Sequence, residues 1–576
     1  MKATAAKQSV EFAEAPEQSV RAADAILGAN PFVGLDSDQI IGELTNFVSE
    51  SLKHPEVLGG QLTRMAVELA KVVAGVSEVA PEDSDKRFAD PTWSDNPLYR
   101  RIMQTYLVCR STMQSMVPER VPERGNGNGG WKETEQQRFA VRLLTEALAP
   151  TNLLLGNPAA IKRAFETGGA SLMHGLRNFL DDLRNNNGMP QTVDKRPFAV
   201  GRNLAVTPGA VVFRSEILEL LQYAPATRQV YERPLLLVPP QINKFYIMDL
   251  APKRSLTEYA VAHGVPFFTV SWRNPKPENR NWGLDEYVSA IKQALEAVSE
   301  ITGSAAANLL GVCSGGITSA LMLGHLAALG DRRINAATLV VTMLDSSMPS
   351  MTGMFTTEES VAAAVERSRQ RGMLDGAEMA RLFAWLRPND LVWNYWVNNY
   401  LMGKDPAPFD ILYWNADSTN LPARLHAGFM ELLLRNGLTR AGAVEILGTP
   451  IDLRQAGNDL FVVGGMTDHI CSWRAVYNGA RLFGGRSEFV LNSSGHVQTL
   501  VCPPTNFKAR YYVNPSMGDD PDAWLKEATE QKGSWWDHWL GWLDKRSGDK
   551  REAPLSLGSR RFPPLEPAPG KYVMEQ

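Results

Sequence analysis

Residues 309–316 read Leu309-Leu310-Gly311-Val312-Cys313-Ser314-Gly315-Gly316, and the helix-like run ITSALMLGHLAAL follows directly. An apolar strand, a G-x-C-x-G-G turn and a helix make a nucleophile elbow, with cysteine where most such enzymes carry serine. Few features limit a fold so tightly. The turn must end a central strand, and the helix must start on the next residue. Gly311 and Gly315 stand where a Cβ would clash, and the thiol sits at a helix N-terminus whose dipole favours thiolate. The bland alternative is a buried cysteine beside an incidental glycine turn, since cysteine is often buried. The flanking strand and helix, and the residues further along the chain, favour the elbow.

An elbow requires parallel βαβ units around it, and the chain supplies them. From about residue 205, short apolar runs alternate with helix-length segments: 235–238, 267–270, 308–312, 337–343, 460–463 and 488–491, with helical patterns at 284–301 and 317–329. Strands spaced by helices imply a buried, mainly parallel sheet. The expected fold is therefore α/β, an α/β-hydrolase domain over 206–576, preceded by a mainly helical domain over 1–205 whose first 35 residues, rich in Ala, Glu and Ser, are expected to be loose. The alternation lapses over about 346–450, which reads as a cap inserted between two core strands. Within the first domain, helical patterns cover 36–120, 133–148 and 158–184, and GNGNGG at 125–130 marks a break.

The partners of an elbow nucleophile follow it in the order acid, then base. The strand-like LFVVGG runs into Met466-Thr467-Asp468-His469, and EFVLNSSGH ends at His496. Both lie just past the end of an expected strand, where open α/β sheets place their sites. His496 is the expected general base to Cys313 and Asp468 the expected acid. His469 competes as base and Asp345, after VVTMLD, competes as acid. Ser314 N–H is one expected oxyanion donor. The second should come from the loop Pro239-Pro240-Gln241-Ile242-Asn243-Lys244, with the choice of amide open.

Charge and cysteine content narrow the function classes. A formal net charge of -4 over 576 residues offers no electrostatic case for nucleic acid or an anionic membrane. No apolar run reaches the ~18 residues of a spanning helix, and the first residues lack the apolar core of a secretory signal. Four cysteines in so long a chain do not form a disulfide framework and suit a reducing cytoplasm. No metal or cofactor is called for by the motifs.

Beyond these local signals, PLLLVPPQINKFYIMDL, FFTVSWRNP, LLGVCSGGITSA, LRPNDLVWNYWVNNYLMG, FDILYWNADSTNLP, TDHI, LFGGRSEFVLNSSGHVQT and GSWWDHWLGWL together resemble the polyhydroxyalkanoate synthases, most closely class II. The resemblance runs from about Arg87 to the C-terminus. It departs from that class at GNGNGGWKE, at Val312 and at Cys471-Ser472-Trp473. The resemblance implies polymerisation of (R)-3-hydroxyacyl-CoA, of medium chain length, into storage polyester with release of CoA. It places the family's cysteine, aspartate and histidine on Cys313, Asp468 and His496. It also implies a homodimer, a cytoplasmic enzyme attached to polyester granules, and a substrate-entry role for Arg387 and Asp390, for which a salt bridge within the cap is an equal alternative. The aromatic residues Trp393, Tyr395, Trp396, Tyr400, Tyr413 and Trp414 could line a channel, form a dimer face or fill the cap's own core. Trp535, Trp539 and Trp542, on one helix face, read as core. A cysteine thioesterase of the dienelactone-hydrolase type would share the elbow but use water as acceptor.

Overall fold

The computed structural model describes residues 37–53, 55–117, 130–350, 353–386 and 388–576. The first 35 residues and nearly all of GNGNGG lie outside the described residues. The chain forms two compact units, Gly34–Asp194 with Leu382–Ala407 in one, and Lys195–Arg381 with Pro408–Gln576 in the other.

The first unit is helical. α1 (Ser37–Lys53) packs on α4 (Gly130–Ala147), and α2 (Pro55–Ala74) on α3 (Pro97–Ser115). Small apolar clusters hold them, Phe47 with Val117 and Val141, and Phe88 with Trp93 and Met103. The helical pattern over 158–184 resolves into two helices, Pro158–Glu166 and α5 (Ala170–Asn185). Gly168 and Gly169 part them at φ 59° and 86°, a left-handed turn that glycine enters without steric cost. Against α5 lies a segment expected in the cap. Residues 389–401, in two π-helical turns, pack on it through Phe179, Trp396 and Tyr400, and the Tyr400 hydroxyl donates to Asp182 at 2.8 Å. Trp396 and Tyr400 thus pack into the helical unit, because α5 offers them an aromatic partner that local patterning does not reveal, while Trp393 meets Trp385 and Trp396 edge-on.

The second unit is built on an eleven-stranded sheet among the described residues. Its strands are β1 (Gly209–Arg214), β2 (Leu218–Tyr223), β3 (Leu235–Val238), β4 (Phe267–Trp272), β5 (Ala307–Val312), β6 (Ile334–Val340), β7 (Asp459–Gly465), β8 (Ser487–Asn492), β9 (Arg510–Val513), β10 (Thr529–Lys532) and β11 (Glu566–Pro567). Their spatial order is β10-β9-β8-β7-β6-β5-β3-β4-β2-β1-β11. The pairings from β8 through to β4 are parallel, and those at both flanks are antiparallel. The interior parallel strands are almost wholly buried and mainly apolar, as sheets covered on both faces are. The antiparallel strands β1, β2, β9 and β10 are not among the runs expected from the sequence.

Two expected boundaries move. Residues 195–205 join the second unit, since Leu204 and Ala205 enter its core and Ala205 N–H donates to Asp249 O at 3.0 Å. β6 stops at Val340, short of the expected 343, because Val341 turns at φ 45°. The inserted helices α8 (Glu358–Arg371) and α9 (Ala423–Arg435) pack on each other; ahead of them in the chain, α6 (Leu284–Thr302) joins β4 to β5 and α7 (Ser314–Ala328) joins β5 to β6. α7 is apolar all round, with Ala320, Leu321 and Met322 fully buried, as befits a helix enclosed by the core. Past β8 comes the short helix α10 (His496–Leu500), and past β10 comes α11 (Trp535–Asp544). On α11, Trp535, Trp539 and Trp542 are buried, and the Trp539 indole donates to Thr338 Oγ1 at 3.0 Å.

Candidate active site

β5 ends at Val312, and α7 begins at Ser314, so Cys313 occupies the whole turn. Its backbone sits at φ 50°, ψ -122°, a conformation that costs a non-glycine residue about 1–3 kcal/mol. Surrounding groups hold it there. Cys313 N–H donates to Val340 O at 3.0 Å and Gly316 N–H to Cys313 O at 2.9 Å. A Cβ on Gly311 would come within 2.8 Å of both the Gly316 Cα and Ser319 Oγ, and one on Gly315 would fall on the Val238 and Pro239 carbonyl oxygens. The glycines of the motif are therefore present because β3 and α7 approach the turn so closely.

The loops after β7 and β8 are stitched together. Met466 N–H donates to Asn492 O at 2.8 Å and Thr467 N–H to Ser494 O at 3.3 Å. This brings Asp468 beside His496, with Asp468 Oδ2 and His496 Nδ1 2.7 Å apart and both residues buried. The other carboxylate oxygen accepts Ile470 N–H at 2.8 Å and Cys471 N–H at 2.9 Å. With Nδ1 tied to the carboxylate, Nε2 is the ring atom left for Cys313, and the charges of the two groups act on each other.

Electrostatics follow from this packing. Burial pushes the His496 imidazole down, but the Asp468 and Cys313 charges outweigh it, and its pKa is raised to about 10. Cys313 goes the opposite way, held well below the ordinary thiol range. The neighbouring Cys471 thiol favours the charged form most, against the cost of burial, and His496 and the Ser314 amide add to it. Both shifts favour the charged forms, a thiolate on Cys313 and an imidazolium on His496.

The remaining expected residues fall in several places. Ser314 is buried, and its hydroxyl accepts Gln241 N–H at 3.1 Å, docking the loop after β3 on the elbow. His469 is half-buried, and it is His496 that faces Asp468. Asp345 accepts Ser347 N–H at 2.9 Å and Asn436 Nδ2–H at 2.8 Å, which ties the start of the insertion to the end of α9. Arg387 lies outside the described residues, and Asp390 is an exposed residue of the helical unit. Trp414 is buried in the second unit, its indole donating to Lys244 O at 2.7 Å. Among the described residues one set of donor atoms has the spacing of an ion site, Asp468, Cys471 and His496, all within 4.8 Å. Those atoms are already spent, the imidazole on the carboxylate and the carboxylate on two amides.

One neighbour was not anticipated. Cys471, singled out in the sequence only as a departure from class II, is buried, with its sulfur within 4.8 Å of the Asp468 and His496 ligand atoms. Its place three residues past Asp468, on the turn that wraps the carboxylate, is the signal that could have found it.

With this geometry, the comparisons converge. Residues 84–260 match the family described as "Poly-beta-hydroxybutyrate polymerase (PhaC) N-terminus", and residues 235–501 match "alpha/beta hydrolase fold". Poly(3-hydroxyalkanoate) polymerase 1 of Ectopseudomonas oleovorans is 47% identical, over 96% of this chain and 98% of its own. Poly(3-hydroxyalkanoate) polymerase 2 of the same organism is 48% identical over 95% and 96%. The poly(3-hydroxyalkanoate) polymerase subunit PhaC of Cupriavidus necator is 38% identical over 87% and 84%. Similarity of this degree along nearly the whole chain, on an α/β-hydrolase sheet, places the protein in the poly(3-hydroxyalkanoate) polymerase family and makes it an acyltransferase.

Proposed function

We propose that the enzyme polymerises (R)-3-hydroxyacyl-CoA of medium chain length, carrying the growing chain as a thioester on Cys313. The observation that carries this reading is the Cys313–His496–Asp468 constellation at a strained elbow, inside a chain so similar to polymerases of Ectopseudomonas oleovorans. The Cys313 thiolate attacks the thioester carbonyl, and the oxyanion forms against Ser314 N–H. A second donor comes from the loop after β3. Pro239 and Pro240 have no N–H, and Gln241 N–H is engaged by Ser314 Oγ, which favours Ile242. As the intermediate collapses, the carbon–sulfur bond to CoA breaks and the leaving thiolate takes the His496 proton. Neutral His496 then accepts the proton of a 3-hydroxyl, which attacks the acyl-cysteine and forms the ester while Cys313 leaves as thiolate. The contact of Asp468 Oδ2 with Nδ1 supports an orienting role for the acid, which fixes the ring so that Nε2 shuttles the proton.

Granule attachment, a homodimer and a cytoplasmic setting belong to the same reading. Met173, Leu176 and Leu180 stand exposed along one face of α5, the kind of surface a polyester or a second copy would cover. The four cysteines are free, as a reducing compartment would leave them. Among the described residues, no helix is long and apolar enough to cross a membrane. The test is to supply 3-hydroxyacyl-CoA of several chain lengths and follow free CoA together with insoluble polymer. CoA release with polymer is expected, fastest on medium-chain substrate. CoA release with free hydroxy acid and no polymer would turn the reading into a thioesterase, and faster short-chain turnover would remove the chain-length part.

A further inference from the structure

We propose that Lys244 is a positioning residue of this active site. Its ammonium ties the loop after β3 to the backbone of the C-terminal tail and so fixes the loop amide that meets the oxyanion. The proposal rests on the reading of Cys313 as nucleophile and of this loop as the second oxyanion donor.

Residues 239–244 belong to no helix or sheet strand, and the bonds that hold them run to remote segments. On the side of the elbow, Gln241 N–H donates to Ser314 Oγ at 3.1 Å, and the Gln241 side-chain amide donates to Thr318 Oγ1 at 3.1 Å. On the side of the insertion, the Thr419 hydroxyl donates to Gln241 O at 2.6 Å and Thr419 N–H to Ile242 O at 3.1 Å. The Trp414 indole donates to Lys244 O at 2.7 Å. The third tether is Lys244 itself, 3% exposed, whose Nζ donates to Glu575 O at 2.5 Å.

Glu575 O is a fixed point because the tail before it is bound to the antiparallel edge of the sheet. β11 pairs with β1, and the fully buried Glu219 side chain on β2 accepts the amides of Lys571 and Tyr572 at 3.1 and 3.0 Å. The Tyr572 hydroxyl donates to Ser215 O at 2.8 Å, and Arg273 Nε donates to Glu575 Oε2 at 3.2 Å. Lys244 thereby references the oxyanion loop to strands that take no part in the elbow. Burying an ammonium costs far more than burying an apolar side chain of the same length. The charges of Asp417 and Glu575 offset part of that cost, while burial still pulls the Lys244 pKa down. What an apolar side chain of equal length cannot supply is a directed bond to a distant carbonyl. Removing that bond leaves Cys313 and His496 in place and loosens the loop two residues from Ile242.

The experiment compares wild type with Lys244→Met in the full-length enzyme and measures two reactions of the same thiol. One is acylation of Cys313 by 3-hydroxyacyl-CoA, followed as CoA released in the first turnover. The other is alkylation of Cys313 by iodoacetamide, with peptide mapping to assign the modified thiol. Acylation passes through an oxyanion, whereas alkylation displaces iodide at a saturated carbon and forms none. In Lys244→Met acylation should slow by about 10- to 100-fold, up to the scale of losing one oxyanion donor, while alkylation stays within about twofold. In the steady state kcat should fall with KM nearly unchanged. If Lys244→Met does not fold, Lys244→Gln, which stays polar but ends short of Glu575 O, is read in its place and should show the same split. Equal losses in both reactions would mean that Lys244 merely supports the elbow, and unchanged acylation that the tether is idle; either overturns the proposal. A rise in KM with kcat unchanged overturns it too, since Lys244 would then be a substrate contact. Ile242→Pro, which deletes the amide itself, should slow acylation at least as much, and normal acylation there would overturn the loop as oxyanion donor. Polymer synthesis that survives full alkylation of Cys313 in wild type would instead overturn Cys313 as nucleophile, a result independent of any Lys244 variant.

Discussion

Asp345 and Asp468 present the same signal in sequence, an acid shortly after an apolar strand of one parallel sheet, and the fold gives them different work. After β7 the chain turns tightly, and backbone bonds to the loop after β8 lock Asp468 against His496. After β6 the chain leaves the strand early, at Val341, and runs into the insertion, where Asp345 spends its carboxylate on Ser347 N–H and the Asn436 side chain. The Asp468 side chain is fully buried, whereas Asp345 is only half-buried. An acid at a strand end becomes part of a site when a neighbouring loop brings it a base. Otherwise it becomes an anchor.

The comparison can be broken by substitution, and the largest effect sets its floor. Cys313→Ala should abolish CoA release while circular dichroism stays that of the native protein, since the covalent route is gone. Against that floor, Asp468→Asn should lower kcat by orders of magnitude, on the scale of the ~10⁴-fold loss when a serine-protease triad acid is changed to asparagine. Asp345→Asn should cost less than about tenfold, because it removes an anchor and no proton-handling group. Equal losses in the two variants, measured as CoA release, would erase the distinction.

A pH series sharpens it. His496 is raised to about 10 with the Asp468 charge as the main favourable cause, so its folded value lies above its unfolded one. Its contribution to stability is then complete below about pH 6.5 and is lost as pH rises through about 10. The Tm deficit of Asp468→Asn relative to wild type should therefore be widest near pH 6.5 and narrow toward pH 10, while that of Asp345→Asn should stay flat. A deficit for Asp468→Asn that grows with pH would reverse the electrostatic assignment. The smallest effects belong to the thiols outside the site. Cys109→Ala and Cys502→Ala should each retain most of the wild-type kcat, as single surface and core thiols that touch neither Cys313 nor His496.

Much of the sheet is legible in the chain because the interior parallel strands carry short apolar runs bounded by turns, as at 235–238 and 460–463. The elbow is legible for a related reason. Only a strand, a glycine-flanked nucleophile and a helix in immediate succession satisfy the close approach of β3 and α7 to residue 313. The antiparallel strands β1, β2, β9 and β10 escaped notice, since none is followed by a helix in a βαβ unit and their pairing partners are set by neighbours across the sheet. The Trp393–Tyr400 stretch shows the same limit. Its composition marks it as core without saying of what, and it packs on Phe179, a residue far away in the chain.

By itself the sequence determined the α/β class, the elbow at Cys313, the acid–base order after it and the family motifs, because these are local patterns or short-range spacings. Only the tertiary structure decided that His496 and not His469 faces the acid, that Asp345 anchors the insertion, that residues 382–407 join the helical unit, and that Cys471 lies beside Asp468 and His496. Each of those depends on which loops meet in space, and such meetings are set by long-range packing and backbone hydrogen bonds between segments whose own sequences do not name their partners.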